Sequence, residues 1–379
     1  MRGRIVAVAE PDAGRREAFV RAHPISRQAA FADASQLLEG PRRGEFAVIA
    51  TPDAHHAEPA LRAMERGYHV LLEKPMALTE ADCWRNVAAS APMILTKSCH
   101  DLDLLYWIAG SEPRRLSSLA RPTELRVENA PERAPEYCAD GCPHASECPY
   151  DAVAMYHSLS PLLLDLELTE RPRWARPLFG GYRRARGRLA RLPGLSRLGT
   201  WSGWPVSAVS ADPSPAALEH ALRTSRYGRC VYRVGDNDQV SSQTVGIQFT
   251  SGALASFALH STSYREGRET RVDGTRGSAV ARFYQLEQSL TVIDHKTGRR
   301  RERRFPASLA PHGGGDARLF TSFLAAVRGD AAPATTAAES LQSHRMAFAA
   351  DRAQRESRVI ELSDRQPGGE PSATDLAQR

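Results

Sequence analysis

Over the first eighty residues, short apolar runs alternate with amphipathic stretches. Arg4-Ile5-Val6-Ala7-Val8-Ala9 has the length and continuity of a buried parallel strand. Glu10-Pro11-Asp12 ends it, and Asp12 is placed to N-cap a helix through about Ala22. Phe31 begins a short extended piece, and Ala34 to Leu38 reads as a brief helix. Phe46-Ala47-Val48-Ile49-Ala50 is a second buried strand, stopped by Thr51-Pro52-Asp53. A helix follows from about Ala54 to Arg66, apolar at Ala57, Leu61 and Met64, with Gly67 as its C-cap. His69-Val70-Leu71-Leu72 is a third strand, ended by Glu73-Lys74-Pro75, and another helix starts near Thr79. This alternation predicts a parallel, doubly wound sheet.

The pattern then changes. Ser98 to Gly110 reads as a helix, with Ser98 and Asp101 spaced as a capping box. Residues 120–150 are loop-like, rich in Pro, Glu and Cys. From Gly228 the chain reads as strands at Cys230–Val234, Thr244–Phe249, Ala253–His260, Arg271–Asp273, Ala279–Phe283 and Leu290–Asp294. Turn signals at Ser251-Gly252, Gly274 and Gly277 separate several of them, which argues for antiparallel pairing. Helices at about 316–328 and 337–355 follow. The fold class expected is α/β plus α+β: an incomplete Rossmann-type parallel sheet over residues 1–83, then a mainly antiparallel-sheet domain with helices on one face over 84–365. Residues 366–379 read as a disordered tail. There are no internal repeats.

Composition narrows the class without changing it. The chain has 379 residues, 42% hydrophobic and 25% charged, which is ordinary for a globular protein. No apolar run approaches the roughly 18 residues needed to span a bilayer, and Met1 to Glu10 lacks a signal-peptide core. Membrane, collagen-like, coiled-coil and wholly disordered classes are excluded. Six cysteines in so long a chain do not make a disulfide scaffold, so a cytoplasmic protein is expected. The net charge of +6 is local: residues 171–200 carry nine arginines and no acid. That segment, including Arg183-Arg184-Ala185-Arg186-Gly187-Arg188, has no recognisable nucleic-acid fold around it and reads as a solvated insertion. Only Lys74, Lys97 and Lys296 are lysines, so each is a candidate for chemistry that guanidinium does not do.

Cys138, Cys142 and Cys148 form C-x3-C-x5-C in a loop. Three thiolates plus Cys230, Cys99 or His144 would complete a tetrahedral structural zinc site, although buried free thiols are also common. Asp236-Asn237-Asp238 is a turn or a pocket rim.

Three motifs together resemble the Gfo/Idh/MocA oxidoreductases. They are Thr51-Pro52-Asp53-Ala54-His55-His56 at a strand end, Glu73-Lys74-Pro75 after the next strand, and His100-Asp101-Leu102-Asp103 on a helix. His312-Gly313-Gly314-Gly315-Asp316 is similar to a late motif of one subgroup. The resemblance runs from Ile5 to about Leu362 with two gaps. The family's opening strand and Gly-rich turn G-x-G-x-x-G have no counterpart, and Asp82-Cys83-Trp84 looks like a seam where a segment is missing. A truncated start and an internal deletion are therefore expected, with exposed apolar surface and either poor solubility or partner dependence as consequences.

The resemblance implies a cofactor, NAD or NADP, and a sugar, cyclitol or related polyol as substrate. Glu10, at a strand's C-terminal end, would accept hydrogen bonds from the adenosine ribose, favouring NAD; Arg15 and Arg16 leave NADP open. Thr51, Pro52, Glu73, Lys74 and Pro75 would line the cofactor side, and His56 would be structural at a helix start. Lys74 would hold the substrate oxygen, and His100, oriented by Asp103, would act as general base. The family's acid four residues before that histidine is Thr96 here, with Lys97 next as a substitute cation. Further expectations are a homo-oligomer, no nucleic acid and no membrane. Two rival readings are NAD-dependent glycoside cleavage and a non-catalytic remnant that oligomerises through its second domain.

Overall fold

The computed structural model describes residues 3–78, 92–157, 177, 205–210, 212, 214–233, 239–263, 266–284, 287–306 and 314–362. The helix expected at Thr79, the seam at Cys83, the arginine segment, Asp236-Asn237-Asp238, His312-Gly313 and the C-terminal tail lie outside them. The chain forms two compact units: Met1–Pro122 with Gln239–Ser261 and Ala317–Arg379, and Thr123–Asp238 with Thr262–Asp316.

In the first unit, β1 (Val8–Ala9) pairs in parallel with β2 (Ala30–Phe31). Between them runs α1 (Ala13–Ala22), capped by Asp12, whose carboxylate accepts the amide of Arg15 at 2.7 Å. After β2 comes α2 (Ala34–Glu39), capped by Asp33. Then β3 (Phe46–Ile49) pairs in parallel with β4 (His69–Leu72), and α3 (Ala57–Glu65) makes the crossover. Gly67 follows α3 with φ +77°, the left-handed conformation expected of the C-terminal glycine. The expectation of fully buried strands is corrected. β1 is short and half-buried, and in β3 only Ile49 is buried, while Val48 is 50% exposed. The buried core beside these strands is small, built on Leu38, Ala63 and Tyr68.

The larger core of this unit lies further along the chain. α4 (Met93–Ala109) precedes β5 (Pro113–Pro122), which sits in an antiparallel sheet of order β12-β5-β6-β7. β6 is Val240–Phe249, β7 Leu254–His260 and β12 Ile360–Glu361. Burial along β6 alternates residue by residue, with Val245, Ile247 and Phe249 facing in, as a half-covered strand requires. α4 and a long C-terminal helix, Ala337–Glu356, cover that face. The long helix presents Ala347, Ala350 and Ala353, all fully buried, so its backbone comes close to its neighbours. A capping box between Thr336 and Glu339 starts it. The capping box expected at Ser98 and Asp101 is not used. α4 starts at Met93 because Ile94 and Leu95 pack into the core, and Ser98 is a buried mid-helix residue.

Among its described residues the second unit holds the cysteine-rich loops, two helices and a sheet. The helices are α5 (Val206–Val209) and α6 (Pro215–Thr224), the latter unmarked by the sequence reading. The strand expected at Cys230–Val234 is instead a short 3-10 turn, Val231–Arg233. The chain there runs against α6, and a Cβ on Gly228 would lie 1.7 Å from the Leu222 carbonyl oxygen. The antiparallel sheet has order β11-β10-β9-β8, with β8 Gly267–Asp273, β9 Gly277–Tyr284, β10 Gln288–Asp294 and β11 Arg300–Phe305. Nothing in the sequence marks β11 as a strand: it is exposed along its whole length and charged at every position but Phe305. Two helices close the description of the chain, α7 (Gly315–Val327) and α8, the long helix Ala337–Glu356.

Candidate active site

The chemistry-bearing residues of the first unit gather where β3 and β4 end. At the end of β3, Thr51 folds back on itself, its hydroxyl donating to the His55 carbonyl at 2.8 Å. His56 is 1% exposed, and its ring spans two turns: Nε2 meets the Thr51 carbonyl at 2.7 Å and Nδ1 meets the Pro75 carbonyl at 2.6 Å. Carbonyl oxygens only accept, so whichever ring nitrogen carries the proton is the donor, and the ring bridges the Thr51-Pro52 turn and the Glu73-Lys74-Pro75 turn.

The second turn is held from three directions. The Glu73 amide donates to the Ile49 carbonyl at 2.9 Å, extending the parallel pairing one residue past β4. The Lys74–Pro75 peptide is cis, and Pro75 is buried. The Met76 amide donates to Nε2 of His344 at 2.9 Å, and the other nitrogen of His344 donates to the Ser340 carbonyl at 2.8 Å. That pair of bonds fixes the tautomer of His344. The ring is 3% exposed, and burial pushes its pKa below the usual histidine value. His344 was not singled out in the sequence. The available signal was a lone histidine within the alanine-rich helix 337–355.

With its backbone so held, Lys74 projects an exposed side chain whose Nζ donates to the Thr96 carbonyl at 3.1 Å. Thr96 lies on α4, and in an α-helix that carbonyl pairs with the amide of residue 100. Lys74 therefore docks one helical turn from His100, which is exposed. Cys99 lies beneath; its Sγ is 3.7 Å from His100 Nδ1. Burial pushes the Cys99 thiol up to about 11, and the Lys74 charge opposes that rise. Asp103 is three residues beyond His100, half-buried, its carboxyl raised first by burial and then by Glu339. Thr96, His100 and Asp103 recur at helical spacing and so share a face of α4. Lys97 is exposed on the same helix.

Glu10 sits just past β1. Its amide donates to the Phe31 carbonyl at 3.0 Å, and its carboxylate accepts the Asp12 amide at 2.9 Å. Arg16 donates to the Glu10 carbonyl at 2.5 Å and the Pro11 carbonyl at 3.1 Å. Among the described residues the β1–β2 and β3–β4 pairs are not hydrogen-bonded to each other. Cys138, Cys142, Cys148 and Cys230 belong to the second unit, where burial raises the thiols of Cys138 and Cys148.

An exposed cation at the carboxyl end of a parallel strand stands where open α/β sheets bind their ligands. Residues 2–93 match the oxidoreductase family GFO_IDH_MocA, NAD-binding Rossmann fold, and residues 223–362 match its C-terminal alpha/beta domain. The chain belongs to this Gfo/Idh/MocA family. "Inositol 2-dehydrogenase 1" of Saccharopolyspora erythraea is 41% identical over 85 residues, which is 22% of this chain and 25% of that protein. The chain thus matches about a quarter of that relative's length. Among solved structures, the aldose-aldose oxidoreductase of Caulobacter crescentus, complexed with glycerol, superposes with a TM-score of 0.55 at 13% identity, covering 95% of this chain and 92% of that one. The UDP-N-acetylglucosamine 3-dehydrogenase of Acidithiobacillus ferrooxidans gives 0.50 at 13% identity, over 92% and 89%. At such identities the structures support the fold alone. No helix among the described residues is long and apolar enough to cross a membrane.

Proposed function

We propose that this chain is an NAD(P)-dependent dehydrogenase acting on a CH–OH group of a sugar, cyclitol or related polyol, with Lys74 and His100 at the reacting carbon. The observation that carries the reading is the Lys74 Nζ contact with the Thr96 carbonyl. It places an ammonium one turn from an exposed imidazole. An ammonium has three donors, so one bond to Thr96 leaves two for a substrate oxygen.

The residues present fit the two ends of a dinucleotide. Glu10 offers a carboxylate at the end of β1 for ribose hydroxyls, and the Thr51-Pro52 and Glu73-Lys74-Pro75 turns stand at strand carboxyl ends where doubly wound sheets bind ligands. NAD(P), when bound, supplies the hydride acceptor. Lys74 holds the carbinol oxygen and stabilises negative charge as it develops there. His100 takes the hydroxyl proton, with Asp103 behind it on the same helix face. His56 and His344 are positioning residues: they hold the turn that carries Lys74 and reach no substrate. Pairing of the antiparallel sheets between two copies would give the homo-oligomer.

A second reading is a member of the family that oligomerises without binding nucleotide. Calorimetry with NADH and NADPH separates the two. Saturable binding, followed by NAD(P)+ reduction with a panel of inositols and aldoses, supports the dehydrogenase. Absence of binding to either nucleotide supports the second reading.

A further inference from the structure

We propose that Cys138, Cys142, Cys148 and Cys230 bind one structural Zn2+ in the second unit, independently of the dehydrogenase site. All four line one small cavity of about 20 Å3, together with His144 and Asp151. Three come from one loop segment. The fourth is brought in from ninety residues away by an isolated bridge between Tyr137 and Arg229 and by the Cys230 amide, which donates to the Glu136 carbonyl at 2.8 Å. The volume is that of one or two water-sized bodies, which suits a single ion and not a polynuclear cluster. Four thiol ligands select zinc over harder cations.

A second observation points to a cation. Asp151 is 5% exposed, and its Oδ2 accepts the Ala154 amide at 2.7 Å. Its Oδ1 is buried with no hydrogen-bond partner among the described residues. A buried carboxylate oxygen left in that state is costly, and a divalent ion in the adjoining cavity compensates it. His144, on the cavity wall, donates from Nε2 to the Glu132 carbonyl at 2.8 Å, which ties its ring to the backbone and leaves the four thiols as the ligand set. Cys99, the other cysteine among the described residues, is buried in the first unit's core and takes no part.

The side chains do not converge as they stand: no three His, Cys, Asp or Glu side chains among the described residues are grouped at metal-binding spacing. Binding therefore draws the sulfurs inward and releases their thiol protons as thiolates form. The surrounding apolar core, Ala152, Val206, Leu218 and Leu222, is small, so a metal staple contributes where burial contributes little.

The test is elemental analysis of the full chain, purified after expression with added zinc and dialysed against a weak chelator, with thiols counted in parallel. One zinc per chain is expected. Exchange for cobalt should give thiolate-to-cobalt charge-transfer bands with the intensity of a four-thiolate site. Cys138→Ser and Cys230→Ser should lose the metal, while Cys99→Ser and His144→Ala should keep it. Should the serine variants fail to fold, the cobalt spectrum of the unmodified chain decides. Less than a tenth of an equivalent of zinc, a disulfide between any two of the four, an iron–sulfur absorption spectrum, or loss of metal from His144→Ala but not Cys230→Ser would overturn the assignment.

Discussion

Lys74 and His100 meet through a single carbonyl. The Lys74 ammonium donates at 3.1 Å to the oxygen of Thr96, the acceptor that the helical ladder of α4 assigns to the amide of His100. A residue at the tip of a parallel strand and a residue 26 positions later are thereby brought together through the backbone of Thr96.

Replacing Lys74 by Met keeps the aliphatic stem and removes the charge. The expected loss is about 10²- to 10³-fold in kcat, the scale of a deleted transition-state donor. Lys74 is exposed, so the melting temperature should hardly move. Steady-state kinetics with a matched thermal melt checks both.

His344 makes stability depend on pH. Its pKa is lowered from the usual 6.5 by burial, so the folded chain keeps the ring neutral where the unfolded chain already binds a proton. Stability is fully present above about pH 6.5 and is lost as pH falls from there toward the folded value. Urea titrations across that range should show the decline, and His344→Gln should flatten it.

His56 and His344 brace the same turn, one at the Pro75 carbonyl and one at the Met76 amide. Each change to Ala should cost about 1–3 kcal/mol through the backbone groups left unpaired. The double variant should deviate from the sum, because contacts on one loop couple. A double-mutant cycle by denaturant unfolding measures the deviation; strict additivity would show that the turn is not held as a unit.

The core under α4 and α8 should dominate the stability of the first unit. Phe249 is 1% exposed at the end of β6, and Phe249→Ala should cost about 3–5 kcal/mol. Val48→Ala, at a site 50% exposed, should cost well under half of that. Chemical denaturation of both variants gives the contrast.

Cys99 should resist alkylation. A thiol raised to about 11 from 9.0 holds about a hundredfold less thiolate at neutral pH, and burial slows access further. Site-resolved mass spectrometry after brief iodoacetamide treatment should leave it unmodified in the folded chain and modified in urea.

Much of the first unit was legible because local signals agreed with packing. Asp12 before α1, Gly67 after α3 and the apolar runs at 46–50 and 69–72 each appear where their chemistry placed them. Legibility failed where tertiary contacts outweighed local ones. Ser98 has the composition of a helix cap, yet Ile94 and Leu95 extend α4 upstream of it into the core. β11 carries no apolar alternation, because its strand character comes only from pairing with β10. In the site, Lys74 and His56 stood out through motif and rarity, whereas His344 did not, since its role is a bond to an amide 268 residues away.

The central claim is that Lys74 and His100 act on one carbon. Initial rates of NAD(P)+ reduction for the unmodified chain, Lys74→Met, His100→Asn and the double variant, on the best polyol from the panel, test it most directly. Groups acting on one reaction are strongly non-additive, so the double variant should be about as slow as the slower single one. Independent, multiplying losses would contradict the account, as would a His100→Asn variant that turns over at the unmodified rate.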